Sequence, residues 1–224
     1  MKTLTTMVMA LLCSVVIAQT DSRYENIEKS PYLFADFVSA KALINGIPEE
    51  IELNYNGYTK SFEFAQNGKL KKLVVAPYEQ IIVDDFEASS DYSDKYASEE
   101  VEFVKGFDSN RPRDLQLAVY SGEGVRVYKK FVVELSKREY TDPVKGRISK
   151  EFFVPRFHYY YITDGKTKPL NLGKKKVLAE LNDKKIEQYV KKNKLKLDNE
   201  SDLVNLMAYY DQMLITASEA VAAN

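Results

Sequence analysis

Tryptophan is absent from the 224 residues of this chain, and cysteine and histidine occur once each. The cysteine, Cys13, lies inside an apolar run, residues 7–18, so everything after that run is free of thiols. Disulfides, a cysteine nucleophile and thiolate metal sites are thereby excluded from the remainder. Leu12 precedes Cys13 and Ser14 to Ile17 continue the run, which is not the small-residue setting of a lipid-modified cysteine. The lone histidine, His158, would need a neighbouring carboxylate to act as a general base, and companions from Asp or Glu alone to hold a metal. The expectation is a histidine packed among aromatics with its ring nitrogens hydrogen-bonded. No Ser-His-Asp order, G-x-S-x-G elbow or H-E-x-x-H can be assembled, so no catalytic, metal or cofactor-binding residue is assigned and no cofactor is expected.

Charge of one sign is lacking as well. The formal net charge is −1, so no global field points to nucleic acid, which is not expected as a partner. Long apolar runs are also missing: residues 7–18 are too short to span a bilayer, and no later stretch approaches about 18 residues. Preceded by Lys2 and ending in Val16-Ile17-Ala18, the run reads as a signal peptide over residues 1–18 with cleavage before Gln19. A secreted or periplasmic protein that is not transmembrane after cleavage follows from that reading.

The clearest positive signal is Asn-Gly, which occurs at Asn45-Gly46, Asn56-Gly57 and Asn67-Gly68, each eleven residues from the next. Both residues tolerate the positive φ of a type I′ turn, so the spacing predicts an up-and-down meander of one strand per repeat. Ile51, Leu53 and Tyr55 alternate with polar neighbours, as do Phe62 and Phe64. Later segments keep period two, through Leu115, Leu117 and Val119, then Val125 and Val127, then Phe131, Val133 and Leu135, with a bulge expected at Lys129-Lys130. Residues 152–162 are apolar on both faces, which implies cover on each side of the sheet. Beyond Asp164-Gly165 and Pro169 the period changes to 3.6. Leu203, Leu206, Met207, Tyr210 and Leu214 form one helical stripe, with Asn199 and Asp202 as its N-terminal cap.

The expected fold is α+β: an antiparallel β-meander sandwich or partly open barrel of about nine to twelve strands, followed by short C-terminal helices. The expected layout is a signal peptide at 1–18, a flexible leader at 19–30, a single domain at 31–215 and a frayed tail at 216–224. The domain divides into a β-rich part, 37–163, and a helical part, 172–215.

Several short motifs recur together: Ser30-Pro31-Tyr32-Leu33 with Phe37, then Leu53-Asn54-Tyr55-Asn56-Gly57-Tyr58 with Phe62-Glu63-Phe64. Tyr159-Tyr160-Tyr161 with Asp164-Gly165, the I-x-x-Y-V-K-K-N-K-L run at 186–195, and Tyr209-Tyr210 complete the set. On these residues the chain resembles an uncharacterised family of secreted Gram-negative envelope proteins with no assigned function. A basic residue is expected where Asn54 stands. The resemblance implies no catalytic residues.

Two segments carry opposite charge. Residues 84–102 hold eight acidic residues against Lys95, and residues 166–196 hold eleven lysines against Glu180, Asp183 and Glu187. The acidic stretch lacks the EF-hand spacing of a calcium loop. As a source of paired carboxylates it supports the alternative reading, a carboxylate-dependent hydrolase, though the missing tryptophan removes the usual sugar-binding aromatics. The leading reading is a secreted, non-catalytic cell-envelope protein that binds a hydrophobic ligand or a protein partner. Its expected binding surface is His158 and Tyr160 with Lys174, Lys175, Lys176, Lys184, Lys185, Lys191 and Lys192, the lysines facing anionic envelope components.

Overall fold

A computed structural model describes residues 22–67, 69–84, 100–107 and 112–222. The expected signal peptide, the start of the leader, Gly68, residues 85–99 of the acidic segment and the last two residues of the tail lie outside the described residues.

Ten strands follow in order: β1 (Val38–Ile44), β2 (Ile47–Asn56), β3 (Ser61–Gln66), β4 (Lys69–Lys72), β5 (Gln80–Asp84), β6 (Glu100–Val104), β7 (Gln116–Ser121), β8 (Arg126–Asp142), β9 (Gly146–Thr163) and β10 (Lys166–Leu170). They form one antiparallel sheet in the order β10-β9-β8-β7-β6-β5-β1-β2-β3-β4. Two meanders are thus joined edge to edge where β1 pairs with β5. Three helices close the chain: α1 (Lys174–Leu181), α2 (Lys184–Lys192) and α3 (Glu200–Ala222).

The turn chemistry explains the register in two of the three Asn-Gly repeats. Asn45 (φ 51°) and Gly46 (φ 73°) make the tight β1–β2 turn, and Asn67 (φ 54°) begins the β3–β4 turn. Asn56-Gly57 behaves differently from expectation. Asn56 ends β2, and its side-chain oxygen accepts the N–H groups of Tyr58 and Thr59, so the turn is wider. Gly57 is needed for close approach instead: a Cβ there would lie 2.6 Å from the Phe131 ring. Its carbonyl accepts from Val133 N–H at 3.1 Å and its N–H donates to Pro31 O at 2.9 Å. The β2–β3 turn therefore touches β8, although four strands separate β8 from β2 in the sheet order. The sheet bends back over itself.

That bend encloses a core of Leu33, Phe34, Leu53, Phe62, Ile81, Val83, Phe103, Phe131 and Phe153, with edge-on aromatic contacts such as Phe62–Phe103 at 4.7 Å. A second core forms where the helices lie on the sheet. Val127, Tyr159, Tyr161 and Leu170 meet Val177, Ile186, Val190, Leu203, Leu206 and Met207. Each fully buried aliphatic side chain of this kind contributes about 1.5–3 kcal/mol. Both cores rest on the same inward, odd-numbered face of the β8–β9 hairpin.

Helix boundaries follow local signals. Asp183 caps α2 by accepting from Lys185 and Ile186 N–H, and Asn199 caps α3 through Asp202 N–H at 2.8 Å, as its spacing predicted. α3 continues to Ala222, past the expected end of its stripe, with residues 216–220 exposed. Pro155 is tolerated within β9 because Phe153, two residues earlier on the same side of the ladder, donates outward to Glu28 O. The missing N–H of Pro155 therefore costs no bond to β8.

Three further expectations are corrected. The bulge lies on β7, between Ala118 and Tyr120, and not at Lys129-Lys130. Residues 23–30, expected as part of a flexible leader, are tied down: Arg23 pairs with Glu63 at 2.6 Å and Glu28 bridges to Phe152. Asn54, in the position where a basic residue was expected, is buried, with its amide bonded to Phe34 and Asp36 carbonyls and to Phe34 N–H. A cation there could donate to the two carbonyls but would leave Phe34 N–H without its acceptor, a bond that asparagine alone completes.

Candidate functional site

Four charged side chains are buried among the described residues: Glu63, Lys129, Glu200 and Asp211. Burying a charge is costly unless it is paired, so each marks a place where the fold has gone to some length to hold polarity. Glu63 is structural by its partners, which are Arg23, Tyr32 OH (2.8 Å), Thr59 and Asn56. Together they fasten residues 23–34 across β2 and β3. Asp211 of α3 accepts from Gly124 N–H (2.7 Å), Val125 N–H (2.8 Å) and Tyr120 OH (3.2 Å), which docks the helix on the β7–β8 turn. Gly122 makes room for it, since a Cβ there would come within 2.4 Å of the Asp211 carboxylate.

Lys129 and Glu200 are arranged differently, because they border open space. Lys129 occupies an inward position of β8, directly across from Tyr159 on β9. Its ammonium lies 2.5 Å from Glu200 Oε1 and 5.0 Å from the centre of the Phe157 ring, and Tyr159 OH donates to the same Oε1 at 2.8 Å. Lys129 is 3% exposed and Glu200 8%. Burial pushes the Lys129 ammonium below its ordinary pKa, and the Glu200 carboxylate opposes that shift. The cluster sits at the junction of the two cores, where the first turn of α3 reaches the sheet.

A cavity of about 310 Å³ opens on the bent-sheet side of this cluster, near the lower end of the usual range for ligand pockets. Its walls are Tyr55, Phe62, Phe103 and Phe131 with Leu73, Val75, Leu115 and Leu117. Lys60, Asp114, Lys129 and Lys130 are its charged lining residues. Burial, with a smaller contribution from Asp114, pushes the Tyr55 hydroxyl up to about 12, so it stays a neutral donor at ordinary pH. On the other side of the cluster lies a cleft, also about 310 Å³, bordered by Phe157, Tyr159, Leu170, Leu172, Asn199 and Glu200. The polar cluster borders both spaces, with Lys129 lining the first and Tyr159 and Glu200 the second.

The expected binding surface is not brought together as one face. Lys174, Lys175, Lys176, Lys184, Lys185, Lys191 and Lys192 are all exposed on α1 and α2, whose buried sides meet the odd-numbered residues of β9. His158 and Tyr160 have the opposite parity, and strand alternation turns their side chains to the other face of the sheet. Tyr160 stacks on Tyr128 at 5.1 Å with the Lys130 ammonium over both rings, and His158 is exposed instead of packed among aromatics. Both residues nevertheless border the cleft along the edge of β9. Of the acidic segment, Asp84 and Glu100 face each other across β5 and β6 and are exposed, and Asp84 pairs with Lys41 at 2.8 Å. Among the described residues no group of three or more His, Cys, Asp or Glu is placed to hold a metal ion, and no helix is long and apolar enough to cross a membrane.

Sequence reasoning missed Lys129 and Glu200. The signal for Lys129 was present: it falls in the inward register of Val125, Val127, Phe131 and Val133, where every neighbour of the same parity is apolar. Glu200 had no such marker, since its burial depends on where α3 docks. In comparisons with protein families, curated proteins and solved structures, the chain matches none. The reading of the site rests on its own geometry.

Proposed function

We propose that this is a non-catalytic binding protein of the cell envelope, and that a small hydrophobic molecule occupies the aromatic cavity beside Lys129. The supporting observation is the cavity itself, a space of about 310 Å³ walled by four aromatic rings and several aliphatic side chains. Transfer of an apolar ligand from water into such walls contributes about 25 cal/mol per Å² of surface covered. The motif resemblance to secreted envelope proteins and the signal-like residues 1–18 favour an extracytoplasmic setting. The bend that brings β2 and β8 together favours a partly open barrel over a sandwich, with the cavity in its mouth.

The absence of tryptophan makes the test clean. The neutral dye N-phenyl-1-naphthylamine should brighten on addition to the protein and be displaced by medium-chain lipids. Leu115→Trp fills the cavity and should abolish uptake, whereas Leu135→Trp on the exposed arm of the β8–β9 hairpin should leave it unchanged. Equal uptake by both variants would place the dye elsewhere and end the proposal. Among the described residues, the hydrolase alternative is supported by the cross-strand pair Asp84 and Glu100, and Asp84 is held by Lys41.

A further inference from the structure

We infer that the ligand of the aromatic cavity is a hydrophobic carboxylate whose head group is read by the buried ammonium of Lys129. The inference rests on the binding reading above and adds the chemical class of the ligand. Apolar walls alone would accept any molecule of suitable size, so specificity has to come from the few polar groups on the lining. Three of the charged lining residues are lysines, Lys60, Lys129 and Lys130, against the single Asp114, and the Lys130 ammonium is turned to the Tyr128 and Tyr160 rings on the other face. Lys60 and Lys129 are therefore the cations that can meet an anion in the cavity.

Among the three lysines, Lys129 differs in burial. Lys60 is exposed and Lys130 reaches out over the Tyr128 and Tyr160 rings, whereas Lys129 is 3% exposed. Its ammonium has already been stripped of most of its water by folding, so a ligand carboxylate meeting it incurs only its own desolvation. The side chain is also held in place, between the Phe157 ring and Glu200. Its carboxylate partner Glu200 is the first residue of α3, and Tyr159 OH binds that same carboxylate. An ammonium carries three donors, so a ligand carboxylate is received beside Glu200, which keeps its bonds to Lys129 and to Tyr159 OH and is not left buried without a cation. A neutral ligand with the same tail brings no charge to the ammonium and gains mainly apolar burial.

The test compares decanoate with decanol as displacers of N-phenyl-1-naphthylamine from the full chain at neutral pH, both below their aggregation concentrations. Decanoate should displace the dye at a concentration at least about tenfold lower, the factor expected of a hydrogen bond between charged groups. Lys129→Arg should keep the preference. In Lys129→Met/Glu200→Gln, which removes both charges and leaves neutral groups of similar shape, the ratio should fall to near one. Equal displacement by the two compounds from the unmodified protein overturns the inference while the cavity reading stands. A preference that survives in the double variant also overturns it, since Lys60 would then be reading the head group. Failure of both compounds to displace the dye counts against the cavity reading itself.

Discussion

Replacing Asp211 tests how the helices are fastened to the sheet. The carboxylate of this α3 residue is 7% exposed and accepts two backbone N–H groups of the β7–β8 turn as well as Tyr120 OH. Hydrogen bonds to a charged group contribute about 1.5–3 kcal/mol each, and Val125 N–H, on a residue 1% exposed, has little access to water as a substitute. Asp211→Ala should therefore cost about 3–5 kcal/mol, a large share of the 5–15 kcal/mol typical of a domain, whereas Asp211→Asn keeps the acceptor and should cost about 1 kcal/mol. Gly122 supplies the control. Its backbone suits alanine, but a Cβ would lie 2.4 Å from the Asp211 carboxyl carbon, so the carboxylate must retreat by about 1 Å to reach ordinary contact. Gly122→Ala alone should thus cost about 2–3 kcal/mol, and almost nothing further once Asp211 is already alanine. Urea denaturation of the four proteins completes the cycle. Effects that add to within about 0.5 kcal/mol would show that the two residues do not share a site and would refute the docking argument.

Lys129→Met alone leaves Glu200 buried without its cation and should cost about 3–5 kcal/mol in urea melts, with most of that recovered in Lys129→Met/Glu200→Gln; no recovery would mean the pair is not the source of the loss. Tyr55 carries a pH signature. Its native pKa is raised to about 12 against about 10 when unfolded, so its contribution is complete below pH 10 and is lost as pH rises toward 12. Between those limits the unmodified protein should lose about 2–3 kcal/mol more than Tyr55→Phe, and identical alkaline profiles would contradict the assigned burial. The seven lysines singled out on α1 and α2 are all exposed, so the protein should be retained on anionic lipid vesicles at low salt and released at moderate salt. Retention unaffected by salt, or by Lys174→Glu/Lys175→Glu/Lys176→Glu, would assign those lysines to solvation alone.

Much of the architecture was legible because it is local. Alternation marked the strands, Asn45-Gly46 and Asp164-Gly165 marked tight turns with positive φ at both residues, and the Leu203 to Leu214 stripe marked α3. What stayed hidden depends on contacts between distant segments. Gly57 looks like a turn glycine but is required by the Phe131 ring across the bent sheet. Residues 23–30 look flexible because their partners, Glu63 and the backbone around Phe152, lie far along the chain. His158 and Tyr160 lie on the face opposite the helix lysines because a strand sends neighbouring side chains to opposite faces, a rule that the sequence obeys but a list of polar residues ignores.

The β8–β9 hairpin, whose single inward face serves both cores, has a consequence for the order of events during synthesis. That face is complete by residue 163, yet the cover over Val127, Tyr159 and Tyr161 is completed only as Val177, Ile186 and Val190 and then Leu203, Leu206 and Met207 arrive, the last of them some forty residues later. Until then the nascent chain carries an uncovered apolar ribbon that local contacts cannot close. Closure of this end of the sheet is thereby postponed until the helices emerge, and the uncovered ribbon is the kind of surface that chaperones of unfolded chains meet.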